Sequence, residues 1–140
     1  MQSYANHRRV NPLYHFVAMP IFVINFGIAA VHLYRAPSAS SAWLLVVAFG
    51  LIAILGVGRL QSLMVQDRII RLEERLRLQA LAPELAGRLD QLNKRQVAAL
   101  RFASDEELPG LARRVFAGEF PTNGDIKRAV TTWRPDHMRV

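Results

Sequence analysis

The sequence predicts an all-α membrane protein: two transmembrane helices in a hairpin, the second extended into the cytoplasm, followed by about three short helices. Between Arg9 and Arg35 the chain runs 25 residues without a formal charge, and between Arg35 and Arg59 it runs 23 more. Such stretches suit a hydrocarbon slab, where charge is expensive and a helix needs about 20 largely apolar residues to cross. The separator, Ala36-Pro37-Ser38-Ala39-Ser40-Ser41, is too short to fold on the far side. No stretch alternates with period two for long enough to make a strand.

Composition narrows the class. Of 140 residues, those after the first 60 are enough for a small helical module whose core would be marginal alone. A mean hydropathy of +0.13 is modest because an apolar front is joined to a charged back. The absence of Cys excludes disulfides, iron–sulfur clusters and thiolate metal sites. The net charge of +7 is uneven: residues 1–80 carry +5 and residues 81–140 carry +2. A nucleic-acid binder would load its soluble domain instead, so no nucleic acid is expected as a partner. Arg8 and Arg9 precede the first span, and Arg59, Arg68, Arg71, Arg75 and Arg77 follow the second. Only Arg35 lies at the opposite end. The positive-inside rule then puts both termini in the cytoplasm of a bacterial inner membrane.

Taken in order, Asn11-Pro12 suits the start of a first span over about residues 13–34, Asn as cap and Pro at the first helical position. Pro20 is expected to kink it. Tyr14 and Phe16 at one end, and Tyr34 and Trp43 at the other, sit where an aromatic belt would place them. The second span, about 41–59, has Ser41 as its expected N-cap and no breaker after Gly58. The helix should run on to about Ala80. Beyond the interface, Val65, Ile69, Leu72 and Leu76 form an apolar seam at 4-3-4 spacing, expected to pack on the rest of the module because two heptads are short for a coiled coil.

The chain thus divides into a hairpin, 1–60, and a helical cytoplasmic module, 61–140. In the module, Pro83-Glu84 opens a helix with Leu85, Leu89, Leu92, Val97 and Leu100 as its stripe. Ser104-Asp105-Glu106-Glu107 reads as a capping box for a helix carrying Leu108, Leu111, Ala112, Val115 and Phe116 and stopping at Gly118. Thr122 or Asn123 caps a last helix with Ile126, Ala129, Val130 and Trp133 on one face, ended by Pro135. A competing reading is a secretory signal peptide cleaved near Ser38-Ala39-Ser40. The apolar run exceeds the usual signal core, and a second apolar helix follows at once, so the hairpin is preferred.

Gln2-Ser3-Tyr4-Ala5-Asn6-His7-Arg8-Arg9, followed by Pro12-Leu13-Tyr14-His15-Phe16-Val17, resembles the opening of a small bacterial integral-membrane family known only as a domain of unknown function. Asp67-Arg68-Ile69-Ile70-Arg71-Leu72-Glu73 resembles its middle. Leu100 to Pro109, Ile126 to Val130 with Trp133, and Asp136 to Val140 resemble its tail. The resemblance runs the length of the chain. It implies topology and an integral-membrane location, and it transfers no active-site residue.

Candidate chemistry is sparse. His15 and His32 could each ligate haem or (bacterio)chlorophyll, yet they lie 17 residues apart on one helix, about 25 Å, and the second span supplies no His. A bis-His site is therefore excluded, and a single axial ligand is what stays open. Asn25, in mid-span, is the better pointer, since an amide in hydrocarbon seeks a hydrogen-bonding partner. Gly27, Ala29 and Ala30 on the first span, with Ala48, Gly50, Ala53 and Gly56 on the second, offer small surfaces for helix–helix docking. Arg59, Arg68, Arg71 and Arg75 suit anionic lipid headgroups or an acidic partner. Phe116 and Trp133 are candidate anchors for a soluble partner. Asp136-His137 lies in a tail beside Pro135, where catalysis is not expected. There is no Walker loop, G-x-G-x-x-G, H-E-x-x-H or G-x-S-x-G.

The expectation is a non-catalytic accessory or scaffolding subunit that docks with other subunits in a larger membrane complex, respiratory or photosynthetic. The alternatives are a membrane-anchored adaptor recruiting a soluble cytoplasmic partner and a pigment- or haem-binding hairpin.

Overall fold

The structure, a computed structural model, describes residues 11–135. Arg8, Arg9, Asp136 and His137 lie outside the described residues. The described residues form helices joined by turns and short irregular segments, with a single isolated β-bridge and no strand. Two compact units divide it after Leu63.

The first unit opens with a π-helical turn, Leu13–Ala18, that continues into α1, Met19–Arg35. Asn11 caps this start as expected: its Oδ1 accepts from the Tyr14 amide at 3.2 Å, and its carbonyl accepts from the His15 amide at 3.0 Å. Pro20 stands in the first turn of α1, where the wider π-turn before it ends. Helix α2, Ala39–Leu81, is 43 residues long and has no break at the end of its apolar stretch. Its cap is Ser38 rather than Ser41. The two serines exchange bonds, Ser38 N–H to Ser41 Oγ at 2.9 Å and Ser41 N–H to Ser38 Oγ at 3.1 Å. Ser41 is left with no exposure and donates back to the Ala36 carbonyl at 2.9 Å.

Within this unit, buried and half-buried positions recur every three or four residues: Tyr14, Ala18, Phe22, Phe26, Ala29 and Leu33 before and along α1, and Ser41, Leu45, Ala48, Ile52, Leu55 and Arg59 on α2. That periodicity marks one inner face per helix. The Arg59 guanidinium lies 5.5 Å from the Tyr14 ring centre, which brings the end of the second apolar stretch beside the start of the first.

The second unit packs on the last turns of α2. Ile70, Glu74, Leu78 and Ala82, spaced by four, are buried there. Against them sit α3, Pro83–Ala86, a 3₁₀ turn at Leu89–Gln91, then α4, Lys94–Leu100, α5, Leu108–Phe116, and α6, Asn123–Arg128. Leu78, Leu85, Leu89, Val97, Leu108 and Ile126 form its centre. Burying each such aliphatic side chain contributes roughly 1.5–3 kcal/mol before chain entropy is set against it.

Three further sequence expectations are corrected. The single helix drawn from Pro83 to Leu100 is three pieces. Leu85, Leu89, Leu92, Val97 and Leu100 are all buried, but Asn93 imposes a new start. Its Oδ1 accepts from the amides of Arg95 and Gln96, both at 3.0 Å, and the Gln96 side chain accepts from the Asn93 amide at 2.9 Å. A complete capping box is more favourable than carrying Asn through a helix interior. The last helix stops at Arg128, short of Trp133, which instead bridges to Ala103 in an antiparallel backbone pair. Finally, Val65, Ile69, Leu72 and Leu76 do not pack on the module. They are 56, 50, 58 and 57% exposed, because the module takes the opposite face of α2 through Ile70, Glu74 and Leu78.

Candidate functional site

Among residues expected to serve helix–helix docking, the structure separates two groups. Ala48 is buried on the inner face of α2, and Ala30, Gly50 and Gly56 are half-buried beside the inner faces. Asn25, Gly27 and Ala53 are exposed. Among the described residues the Asn25 side-chain amide has no hydrogen-bond partner. A Cβ built at Gly27, Gly50 or Gly56 would meet nothing within 4 Å, so internal packing does not require glycine at any of them. A shallow groove of about 490 Å³ runs along α1, lined by Ile24, Gly27, Ile28, Val31, His32 and Arg35 and not by Asn25.

The histidines are both exposed. His15 Nδ1 donates to the Asn11 carbonyl at 2.9 Å and its ring meets Tyr14 edge-on at 4.9 Å, so this His closes the helix start. His32 lies in the groove, in the last turn of α1. Among the described residues no group of three or more His, Cys, Asp or Glu side chains is placed to hold a metal.

The arginines after the second apolar stretch take different roles. Arg71 donates to the carbonyls of Leu89 at 3.2 Å and Leu92 at 3.0 Å, tying the 3₁₀ turn to α2. Arg75 pairs with Asp90 on the same turn. Arg59 faces Tyr14. Arg68 is exposed and has no ion-pair partner among the described residues. Of the soluble anchors, Phe116 and Trp133 are both half-buried against the core. Phe116 lies under the Arg88 guanidinium at 4.6 Å, and the Trp133 ring stacks on buried Phe102 at 4.8 Å.

Sequence reasoning missed Glu74, the most buried charged group among the described residues, at 2% exposure. Arg77 Nη1 donates to both its carboxylate oxygens at 2.9 Å, while Nη2 reaches the Ala103 carbonyl at 2.9 Å and Nε reaches Asp105 at 2.9 Å. Burial raises the Glu74 carboxyl above its ordinary range, against the pull of Arg77. Asp105 is held below its ordinary range by its hydrogen bond from Arg77. Helical spacing offered the one available signal: Glu74 falls in line with Ile70 and Leu78. This network joins α2 to the α4–α5 corner and encloses the carboxylate among packed side chains, so it reads as a structural clamp.

No curated protein and no solved structure matches this chain. A family model does: it covers residues 1–140, and the chain belongs to the Family of unknown function (DUF6526).

Proposed function

We propose that this chain is an integral membrane protein of the bacterial inner membrane, with both termini cytoplasmic, acting as a non-catalytic accessory or scaffolding subunit. Its hairpin docks against the spans of other membrane subunits. The carrying observation is Asn25: an amide in the middle of an apolar helix, exposed and without a side-chain partner among the described residues. In hydrocarbon an unmet amide is costly, and a neighbouring span that bonds it contributes about 0.6–2 kcal/mol.

Membrane insertion is supported by the two helices long and apolar enough to cross, Leu13–Arg35 and the first part of Ala39–Leu81. Only 6 and 11% of their apolar windows are buried inside the protein, against what a core helix of a soluble fold would show. Gly27, two residues on from Asn25 and so on the far side of α1, is exposed and free of internal contact and leaves room for another helix there. Arg68 is available to anionic headgroups. The adaptor reading draws less support, since Phe116 and Trp133 both pack on their own core.

The test is gentle detergent extraction, native electrophoresis and mass spectrometry of the wild type and Asn25→Leu. The wild type should migrate with other membrane subunits and Asn25→Leu should lose them while still inserting. Migration in species that contain this chain alone would overturn the proposal.

A further inference from the structure

The outward face of α2 below the apolar stretch is unpartnered and self-complementary. Val65, Ile69, Leu72 and Leu76 recur at 4-3-4 spacing, each with at least half of its surface exposed. This is the spacing of one helix of a two-stranded coiled coil, with Ile69 and Leu76 at the a positions and Val65 and Leu72 at d. At 100° per residue, Arg68 and Glu73 flank the stripe on opposite sides. Arg68 then falls at g and Glu73 at the following e. In a parallel pair, g of one helix meets the following e of the other, so two copies bring Arg68 to Glu73 twice. Neither residue has an ion-pair partner among the described residues, and both are exposed. The module occupies only the opposite face, through Ile70, Glu74 and Leu78.

We infer that a second copy of this chain docks on the Val65–Leu76 face of α2, forming a short parallel two-helix contact set in register by Arg68 and Glu73. Parallel polarity rests on the membrane reading above: two copies anchored in one bilayer with the same topology enter the cytoplasm side by side. Two heptads are weak in free solution. Confinement to a membrane raises the effective concentration of the second helix and offsets this. The inner pair of the stripe, Ile69 at a with Leu72 at d, is the combination that favours two strands, while the outer pair, Val65 at d and Leu76 at a, is not. The charges supply register and orientation more than affinity, as exposed pairs do.

The chain has no cysteine, so one introduced thiol reports a single contact. Leu72→Cys in native membranes should form a disulfide-linked species of twice the chain mass under mild oxidation, well ahead of Arg95→Cys at an exposed position of α4. In the Leu72→Cys background, Arg68→Glu or Glu73→Arg should each lower the yield about five-fold, as two exposed pairs are lost. Arg68→Glu combined with Glu73→Arg should restore it. Two differently tagged chains, one with each single change, should link to each other in preference to themselves. Linking no faster than Arg95→Cys, a product of any mass other than twice the chain, or indifference to the charge exchange would overturn the inference. The readout needs no other subunit, so it stands apart from the Asn25 experiment.

Discussion

Arg77 holds Glu74 through one nitrogen: Nη1 donates to both carboxylate oxygens at 2.9 Å, one turn along α2, with 12 and 2% of the two side chains exposed. The rest of the guanidinium crosses to Ala103 and Asp105, so one side chain joins the long helix to the small ones.

Arg77→Leu leaves a carboxylate buried without its cation and the Ala103 carbonyl without its donor. Removing one partner of a buried pair costs about 3–5 kcal/mol. Glu74→Leu with Arg77→Leu should recover most of that loss, because no uncompensated charge stays inside. Urea unfolding of the full chain in detergent, followed by helix signal, measures both. Equal destabilisation by the single and the double change would show that the clamp does not operate.

The two carboxyls that Arg77 touches, Glu74 and Asp105, set a pH dependence with two opposite arms. Glu74 is raised from its ordinary 4.5 by burial, so its contribution is present below 4.5 and is lost as pH climbs through the folded value. Asp105 is lowered from 3.8 by its bond from Arg77, so its contribution is present above 3.8 and is lost as pH falls through the folded value. Thermal melting should show greatest stability between 3.8 and 4.5 from these two groups. Glu74→Gln should flatten the alkaline arm, and Asp105→Asn the acid arm. The Asp105 arm is the smaller, since that carboxylate is largely solvated.

Glu107 fastens the C-terminal segment. Its Oε1 accepts from the amide and hydroxyl of Thr131, both at 2.9 Å, and its Oε2 from the Thr132 amide at 3.2 Å. The Ser104 hydroxyl accepts from the Glu107 amide at 3.3 Å, but α5 starts at Leu108 with Glu107 as its N-cap and no side-chain cap, so the expected capping box at Ser104 does not form. Glu107→Ala should release Thr131 and Thr132 and open the Phe102–Trp133 stack. A red shift in Trp133 emission, read in a Trp43→Phe background, and faster proteolysis after Arg128 are the expected signs. Unchanged emission would contradict the role.

Two glycine substitutions should have opposite signs. Gly118 has φ +75°, a left-handed conformation that ends α5, and Gly118→Ala should cost about 1–2 kcal/mol. Gly50 is helical with open space around its Cβ position, and Gly50→Ala should stabilise the isolated chain by up to about 1 kcal/mol. Melting temperatures of the two variants decide this directly.

Helix existence was legible because it rests on local terms: charge-free length, apolar periodicity, and caps such as Asn11 and Thr122. Thr122 keeps its full box, exchanging bonds with Asp125 at 3.2 and 3.1 Å. Where two local signals competed, the reading went astray. Leu85 to Leu100 carries an unbroken helical stripe, yet Asn93 overrides it with two amides satisfied at once. The site was less legible still. Asn25 stood out as a lone amide in an apolar run, but whether it faces the partner helix or the outside depends on the phase of the whole hairpin.

By itself the sequence determined the helical class, two apolar segments of spanning length and the helix starts at Asn11, Pro83 and Thr122, because these follow from composition and from bonds made within four residues. Only the tertiary structure decided which side of α2 the module occupies. Ile70-Glu74-Leu78 and Val65-Ile69-Leu72-Leu76 both have helical periodicity, and the apolar choice looked the better core. The module took the face bearing Glu74 because Arg77 meets Ala103 and Asp105 there, contacts between residues 26 and 28 positions apart that no local pattern encodes.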